Sequence, residues 1–379
     1  MDSNGPVSSE SAYRVGTKLR IREHIPPRPF TGDYGPSPRP SVDWSRWEDL
    51  ADSEIGRVEF ALANPPIETK PPGEAERTLT ITGIKTRRKG GGANVVTCFL
   101  DRDRSVEYIA KIYDGAHYPL YADPCGIDCM SSADRDYSTE AWAYRIMQPL
   151  IGGTVIPAYH GSWTFALDTS RPGQRRWVRM ILIELVRGEC MLDIILRAND
   201  RHERVDYSLL PPEQFRLRVL QNIIDAETTI WWEAAIEHED VEPRNVIVNP
   251  DGSVVLIDFN QTYINRFSCH KPKHPKEENP TPFPPTPIER YWPLPRGFAD
   301  GPEKRGRWAD WIPKAWLSDK ELAAEWLIQT YRNSPKYDSP FQDFLDGIYH
   351  HRRSKKILNL LEELGRNPAG TSTPASAKK

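Results

Sequence analysis

Short apolar runs alternate with turns in the first half of the chain. Three runs rich in Ile, Val, Thr and Tyr, which are TLTITGIKT, NVVTCFLD and VEYIAKIYD, are separated by glycine-rich or charged turns. This texture predicts three antiparallel strands. A helix is predicted next, in SADRDYSTEAWAYRIMQPL, because Tyr137, Ala141 and Tyr144 recur at three- and four-residue steps. Ser132 or Asp134 would cap it. Two more predicted strands, VIPAYHGSW and RWVRMILIELV, complete a small sheet lobe.

The second half of the chain has a mainly helical period. The strongest helical pattern runs from Glu213 to Ile236, after two prolines. Its apolar stripe consists of Phe215, Val219, Ile223, Ala226, Ile230 and Ala234. Two short strands, NVIVN and SVVLIDF, joined by a Pro-Asp-Gly turn, predict a hairpin directly after it. Further helices are predicted at 319–331, about 340–349 and 355–364. The pattern predicts an α+β protein with a small antiparallel sheet lobe carrying one helix and a larger, mainly helical lobe.

Composition divides the chain into five predicted segments. They are a flexible Pro-rich arm (1–43), an extension (44–77), the sheet lobe (78–187), the helical lobe with a Pro-rich segment at 267–302 (188–365), and a disordered tail (366–379). The arm contains PPRPF and GPSPRPS, and it is either a plain tail or a proline-rich ligand for an SH3-like partner.

Charge and cysteine content bear on the partners and the compartment. With 50 basic and 53 acidic residues the net charge is -3, which predicts neither a nucleic-acid partner nor a membrane partner. The five cysteines are odd in number and scattered, which favours free thiols in a reducing compartment. The sequence has neither the apolar core of a signal peptide nor an apolar run of membrane-spanning length. We therefore expect a soluble, cytoplasmic protein, with the nucleus as an alternative.

One stretch, IEHEDVEPRNVIVNPDGSVVLIDFN, carries the candidate chemistry. It places Asp240, Asn245 and Asp258 in order around the predicted hairpin, so we expect two carboxylates and an amide to converge on one metal-bound phosphate. HEDVEPRN followed by IDFN resembles the catalytic-loop pattern H-x-D-x-x-x-x-N and the metal-binding D-F-G of protein kinases. The resemblance covers about residues 78 to 364. It is closest to kinase-like proteins of fungi, and the wording is also similar to phosphotransferases of the aminoglycoside and choline kinase type.

This resemblance implies a two-lobed protein-kinase-like fold and transfer of the γ-phosphate of Mg-ATP to a hydroxyl on a protein or a small molecule. Asp240 would orient the acceptor hydroxyl and accept its proton, while Asn245 and Asp258 would hold Mg²⁺ against the nucleotide phosphates. Arg244 occupies the position at which tyrosine kinases carry an arginine near the transferred phosphate, and His238 would brace the loop.

The sheet lobe supplies a candidate lysine for the nucleotide phosphates. Lys111 lies inside an apolar run, where an unpaired ammonium would be costly, so the sequence predicts a partner for it. By the resemblance, Lys111 contacts the phosphates and Glu140 is its ion-pair partner. Glu140 is the only acidic residue in the apolar-periodic body of the predicted helix.

Two further segments resemble nucleotide contacts of the same family. In RRKGGGANV, Gly90 and Gly92 match the first two glycines of the phosphate-covering loop, with an ordinary hairpin turn as the alternative. ILIELVRGECM resembles the kinase hinge, in which the backbone of Glu184 and Val186 would hydrogen-bond the adenine edge of ATP.

Three positions depart from the protein-kinase pattern. Glu239 replaces the arginine that holds a phosphorylated activation loop, Glu242 replaces a lysine near the transferred phosphate, and Asn260 replaces the glycine of D-F-G. Because Asn tolerates left-handed backbone angles, we expect Asp258 still to be held. No peptide-binding platform is recognisable, so the acceptor stays open between a protein and a small molecule. A pseudokinase that serves as a nucleotide-binding scaffold or interaction module is the alternative to catalysis.

Overall fold

The computed structural model describes most of the chain between residues 12 and 338 and a few positions beyond. The described residues are 12–43, 45, 47, 54–86, 92–120, 127–169, 171, 173–199, 205–279, 281–291, 308–338, 357, 359–360 and 362–363. They belong to two compact units. The first unit is drawn from Met1–Arg187, Ile236–Asp240 and Ile257–Pro272, and the second from Gly188–Ala235, Val241–Leu256 and Lys273–Lys379.

A closed antiparallel β-barrel of six strands forms the centre of the first unit. The strands are β1 (Lys18–Glu23), β2 (Glu76–Thr86), β3 (Asn94–Leu100), β4 (Asp103–Tyr113), β5 (Tyr159–Asp168) and β6 (Arg175–Glu184). Their order around the barrel is β1-β2-β3-β4-β6-β5. The strand β1 closes the barrel because it pairs with β2 on one side, where Lys18 faces Thr80, and with β5 on the other, where Arg22 faces Thr164.

The barrel interior is filled by apolar side chains. In β1 the side chains of Leu19 and Ile21 are buried, whereas Lys18, Arg20 and Arg22 between and beside them are exposed. This alternation is what a strand with one face on a core requires. The other strands contribute buried residues to the same core, among them Leu79, Ile81, Val96, Ile112, Phe165 and Met180.

The closed barrel shows that the predicted two-lobed kinase-like fold, with a small antiparallel sheet lobe carrying one helix and a larger, mainly helical lobe, is wrong. The strands β3 to β6 lie within the predicted sheet segment, and β2 begins two residues before it, at Glu76. The sixth strand comes from the stretch Lys18–Glu23, which the sequence assigned to a flexible Pro-rich arm. Only two inward-facing apolar residues mark this strand, and its neighbours along the chain are rich in Pro, Ser and Arg. Its pairing with β5, far away in sequence, turns an open sheet into a barrel.

Among the described residues of the first unit, two α-helices and a small sheet accompany the barrel. The helices are α1 (Glu54–Ala63) and α2 (Cys129–Ile151). The cap of α2 is Asp128, whose carboxylate accepts from the N–H of Ser131, rather than the predicted Ser132 or Asp134. Strands β8 (Ile236–His238) and β11 (Thr262–Ile264) pair antiparallel.

The second unit combines helices with a three-stranded sheet. The sheet has the order β10-β9-β7 and consists of β7 (Glu189–Cys190), β9 (Val246–Val248) and β10 (Val254–Leu256). The helices are α3 (Met191–Arg197), α4 (Glu213–Ala234), α5 (Pro275–Glu278), α6 (Pro287–Arg290), α7 (Trp308–Trp311), α8 (Lys314–Ser318) and α9 (Lys320–Tyr331).

The two most regular sequence patterns of the second unit are confirmed. The helix α4 buries most of the predicted stripe, including Val219, Ile223 and Ile230, and its C-cap Ala235 has a left-handed conformation with φ 52°. The pair β9 and β10 is the predicted hairpin. The helix predicted at about 340–349 lies outside the described residues, and those described within 355–364 are helical. In the part of the chain that the structure covers, no helix has the length and apolarity to cross a lipid bilayer.

Candidate functional site

The site is built around a buried lysine in the first unit. Lys111 lies on β4, between Val95 of β3 and Ile181 of β6, and is 8% exposed. Its Nζ donates to Oε2 of Glu140 on α2 and to Oδ1 of Asp258, the latter at 2.5 Å. The ion pair predicted between Lys111 and Glu140 is therefore present, and Asp258 joins it.

The Glu140 carboxylate is fully buried but surrounded by donors. Besides Lys111, it accepts from the hydroxyl of Tyr113 at 2.5 Å and from the N–H of Phe259 at 3.2 Å. Burial raises the pKa of Glu140, and the positive charge of Lys111 opposes this shift. Since every hydrogen-bond partner is a donor, the arrangement suits the ionised carboxylate.

Lys111 keeps its charge in spite of its burial. Burial alone favours the neutral amine, but the negative charges of Asp258 and Glu140 outweigh it and raise the pKa of Lys111 above its ordinary value. The cluster of one cation and two carboxylates is thus held together by mutual attraction inside the first unit.

Asp258 owes its position to an unusual backbone conformation and to the residue after it. Its φ is 69°, in the left-handed region. The sequence predicts that Asn260 tolerates left-handed backbone angles. Of Asp258, Phe259 and Asn260, however, it is Asp258 that has a positive φ. Phe259 is fully buried, with its ring 4.6 Å from His238 and 5.2 Å from Tyr144, centroid to centroid. The side chain of Asp258 remains 19% exposed.

His238 connects the backbone of Asp240 to the residue before Asp258. Its Nε2 lies 3.0 Å from the carbonyl oxygen of Ile257, and its Nδ1 lies 3.3 Å from the backbone N of Asp240. Since a carbonyl only accepts and an N–H only donates, the ring is neutral with its proton on Nε2. Burial lowers the pKa of His238, in agreement with the neutral form. The bracing contact predicted for His238 is present, and it fixes the main chain at the half-buried Asp240.

Two of the predicted residues lie in the second unit. Arg244 and Asn245 belong to a short 3₁₀ turn, Pro243–Asn245. Asn245 is buried, and its N–H donates to the carbonyl oxygen of Glu242 at 2.8 Å. The guanidinium of Arg244 pairs with the carboxylate of Glu242, the residue that departs from the kinase pattern.

The candidate nucleotide contacts differ in how far the structure describes them. Gly92 has φ 100°, a conformation that favours glycine, while Gly90 lies outside the described residues. At the end of β6, the N–H of Glu184 donates to the carbonyl of Ala158 at 2.8 Å, so this N–H is committed within the protein. Val186 lies just beyond β6 and is partly exposed. The roles of these residues stay predictions.

Two polar residues next to the cluster, Tyr113 and Asp136, are not among the predicted site residues. Tyr113 lies two residues after Lys111 on β4, so strand periodicity places it on the same face. Asp136 lies one helical turn before Glu140 on α2 and is also buried. It accepts from the hydroxyl of Tyr118 at 3.2 Å. Burial raises the pKa of Asp136, and Arg135 and Lys111 oppose this. Glu140 is therefore not the only acidic residue in the body of α2.

The cluster combines a fixed ammonium with a partly exposed carboxylate. Such a pair is suited to bind an anionic group and a hard cation next to each other. Across the described ranges, no group of three or more His, Cys, Asp or Glu residues is arranged to hold a metal ion by itself. The chain matches no protein-family model and no curated protein.

Proposed function

We propose that this chain is an ATP-dependent phosphotransferase, which transfers the γ-phosphate of Mg-ATP to a hydroxyl group of a protein or a small molecule. The observation that carries this proposal is the buried Lys111 held between Glu140 and Asp258. Phosphoryl transfer requires charge neutralisation and positioning more than covalent participation of the protein. A charged ammonium in a fixed place, next to a carboxylate, supplies both.

Lys111 has the properties required of a phosphate-binding lysine. Two of the N–H groups of its ammonium donate to Glu140 and Asp258, and the third is suited to a phosphate oxygen. Glu140 is fully buried and tied to Tyr113 and Phe259, so it is a stable support for the lysine rather than a ligand of the substrate. The raised pKa of Lys111 keeps the ammonium charged at every physiological pH.

The donor chemistry of Asp258 fits Mg²⁺. Mg²⁺ prefers oxygen ligands and is commonly bound by one or two carboxylates together with the phosphates of the nucleotide, so a cage of three protein carboxylates is not required. Asp258 is a carboxylate of this kind, and its side chain is 19% exposed. When bound, Mg²⁺ would neutralise charge on the nucleotide phosphates. Asn245 is proposed as the second protein ligand, and this proposal is supported by its spacing from Asp240 along the chain.

Asp240 is the proposed base that orients the acceptor hydroxyl and takes its proton. Its backbone is fixed through His238, and its side chain is partly exposed. Arg244 is proposed to assist near the transferred phosphate, again from its position in the sequence. Glu239, next to Asp240, is exposed and is assigned no role in this proposal.

The test is transfer of the γ-phosphate from Mg-ATP by the purified protein, with hydrolysis to ADP as the readout without an acceptor. We expect the wild type to turn over ATP. Asp240→Asn should lower kcat about 10²- to 10⁴-fold with little change in KM for ATP, because Asp240 serves the acceptor and not the nucleotide. Glu239→Gln, which removes the same charge one residue earlier, is the matched control and should keep the wild-type rate. Full activity of Asp240→Asn would contradict its assignment as the base. Binding of ATP without turnover in the wild type would favour a nucleotide-binding scaffold.

A further inference from the structure

A segment that directly follows β1 contacts both α2, which carries Glu140, and the chain that follows Asp258. We call residues His24–Arg39 the N-terminal clamp. It begins where the N–H of His24 donates to the carbonyl of Ser162 on β5, at 2.9 Å. Thr31, Gly32 and Gly35 have positive φ values of 67°, 53° and 96°, and together they fold the clamp back on itself.

The clamp holds the helix α2 at three points. Nδ1 of His24 lies 2.7 Å from the hydroxyl of Tyr137. The indole N–H of Trp142 donates to the carbonyl of Pro27 at 2.8 Å. The Asp134 carboxylate accepts from the guanidinium of Arg39 at 2.5 Å.

These three points lie on both sides of Glu140 along the helix. Tyr137 and Asp134 precede it, and Trp142 follows it. His24 also donates from Nε2 to the carboxylate of Glu68, 3.0 Å away, so its Nδ1 is the acceptor for the Tyr137 hydroxyl. The clamp therefore restrains the part of α2 that presents Glu140 to Lys111.

The clamp also holds the chain that follows Asp258. The hydroxyl of Tyr34 donates to the carbonyl of Thr262 and accepts from the N–H of Ile264, the latter at 2.9 Å. The Tyr34 ring stacks on Tyr263, with 6.3 Å between centroids. Further along, the N–H of Cys269 donates to the carbonyl of Asp33 at 2.8 Å.

The geometry of β11 explains why a tyrosine hydroxyl fits there. The carbonyl of Gln261 accepts from the N–H of Glu239 at the end of the β8 pairing. In an antiparallel strand the backbone groups of successive residues point alternately to the two edges. Gln261 points towards β8, so Thr262 and Ile264 point away from it. Thr262 and Ile264 thus present a carbonyl and an N–H at the edge away from β8, and one hydroxyl satisfies both.

We propose that the N-terminal clamp is a positioning device for the site, with Tyr34 on the clamp and Trp142 on α2 as the positioning residues of its two contacts. It couples α2 to the segment after Asp258, so that Glu140 and Asp258 stay within reach of Lys111 together. The role in catalysis rests on the proposed function, whereas the coupling itself belongs to the fold. Removing one of these two contacts should loosen the element that the other contact holds.

Amide hydrogen exchange of the full chain without nucleotide tests this coupling. Tyr34→Phe keeps the ring and removes only the hydroxyl, and it should speed exchange of the α2 amides around Trp142 about fivefold or more. Trp142→Phe should in turn speed exchange at Ile264. Tyr207→Phe is the matched control, because it removes a hydroxyl that donates to the carbonyl of Ala309 within the second unit. It should change neither set of amides.

The outcomes distinguish the proposed coupling by the clamp from the proposed phosphotransfer. If each variant speeds exchange only at its own contact, or if Tyr207→Phe has the same effect, the coupling is refuted. If each variant speeds exchange at the other contact, ATP turnover is then measured in the same variants. We expect kcat to be lower in Tyr34→Phe than in Tyr207→Phe, while the two variants have the same melting temperature. A wild type that neither binds nor turns over ATP would refute the proposed function, and the exchange result would still decide whether the clamp exists.

Discussion

Replacing Lys111 by Met gives the sharpest test of the charge cluster. The Met side chain matches the length of the lysine stem but removes its ammonium. Glu140, which is fully buried, and Asp258 then face each other without a cation. Breaking a buried ion pair by removing one partner costs about 3–5 kcal/mol, because the remaining charge is buried and uncompensated. We expect a loss of this size in the free energy of unfolding of the first unit near pH 8.

The loss should depend on pH in a defined direction. Burial already raises the pKa of Glu140 in the wild type, where Lys111 opposes the shift, so removing Lys111 raises it further. A carboxyl group with a raised folded-state pKa favours the folded state when it is protonated. The variant should therefore be least destabilised below the unfolded-state pKa of about 4.3 and lose stability as the pH rises through the folded-state pKa.

Hydrogen exchange of the slowest amides of the barrel strand β4 measures this free energy in the unit that contains the site. Lys85→Met is the matched control, because Lys85 is an exposed residue on the barrel strand β2. The control should change the free energy by less than about 0.5 kcal/mol. A loss below about 1 kcal/mol in Lys111→Met, or one that does not grow with pH, would refute the view of Lys111 as the charge that holds the two carboxylates.

Two further predictions concern groups around the cluster. Tyr113→Phe removes a hydrogen bond to the buried Glu140 carboxylate and should cost about 1.5–3 kcal/mol in thermal unfolding; a loss within experimental error would show that this hydroxyl is not needed. Burial and the positive charge of Arg179 lower the pKa of His24 to about 3. Below pH 6.5, the ordinary pKa of His, the unfolded chain therefore binds a proton at His24 while the folded chain does not. The free energy of unfolding should therefore fall as the pH drops below about 6.5, and this pH dependence should be weaker in His24→Gln. An unchanged pH dependence in the variant would show that the lowered pKa of His24 is not its cause.

The parts of the fold that the sequence predicted are those with a strong periodic pattern. The stripe of α4 and the Ile- and Val-rich runs of β2 to β6 repeat over many residues, so the period identifies them. The strand β1 has only Leu19 and Ile21 facing inward, and the surrounding composition is typical of a flexible arm. Closure of the barrel depends on its pairing with β5, and a pairing between segments so distant leaves no local signal.

The same contrast holds for the site. A lysine inside an apolar run requires a partner, and this physical requirement predicted that one exists. The resemblance to protein kinases then identified Glu140 as that partner. Asp136 and Tyr113 obeyed the helical and strand periods but carried no motif, so they were overlooked. The clamp was not predictable, because its contacts use backbone carbonyls and single hydroxyl or indole groups, which follow no repeating pattern.

Binding of Mg-ATP, measured by titration calorimetry with and without Mg²⁺, tests the central claim most directly. We expect the wild type to bind Mg-ATP, and Asp258→Asn to bind it at least about tenfold more weakly with little dependence on Mg²⁺, because the carboxylate proposed to hold the metal is lost. Asp251→Asn, the same change in the exposed turn between β9 and β10, should bind as the wild type does. Equal affinity of Asp258→Asn and the wild type, or no binding of Mg-ATP by the wild type, would contradict the assignment of this cluster as a nucleotide site.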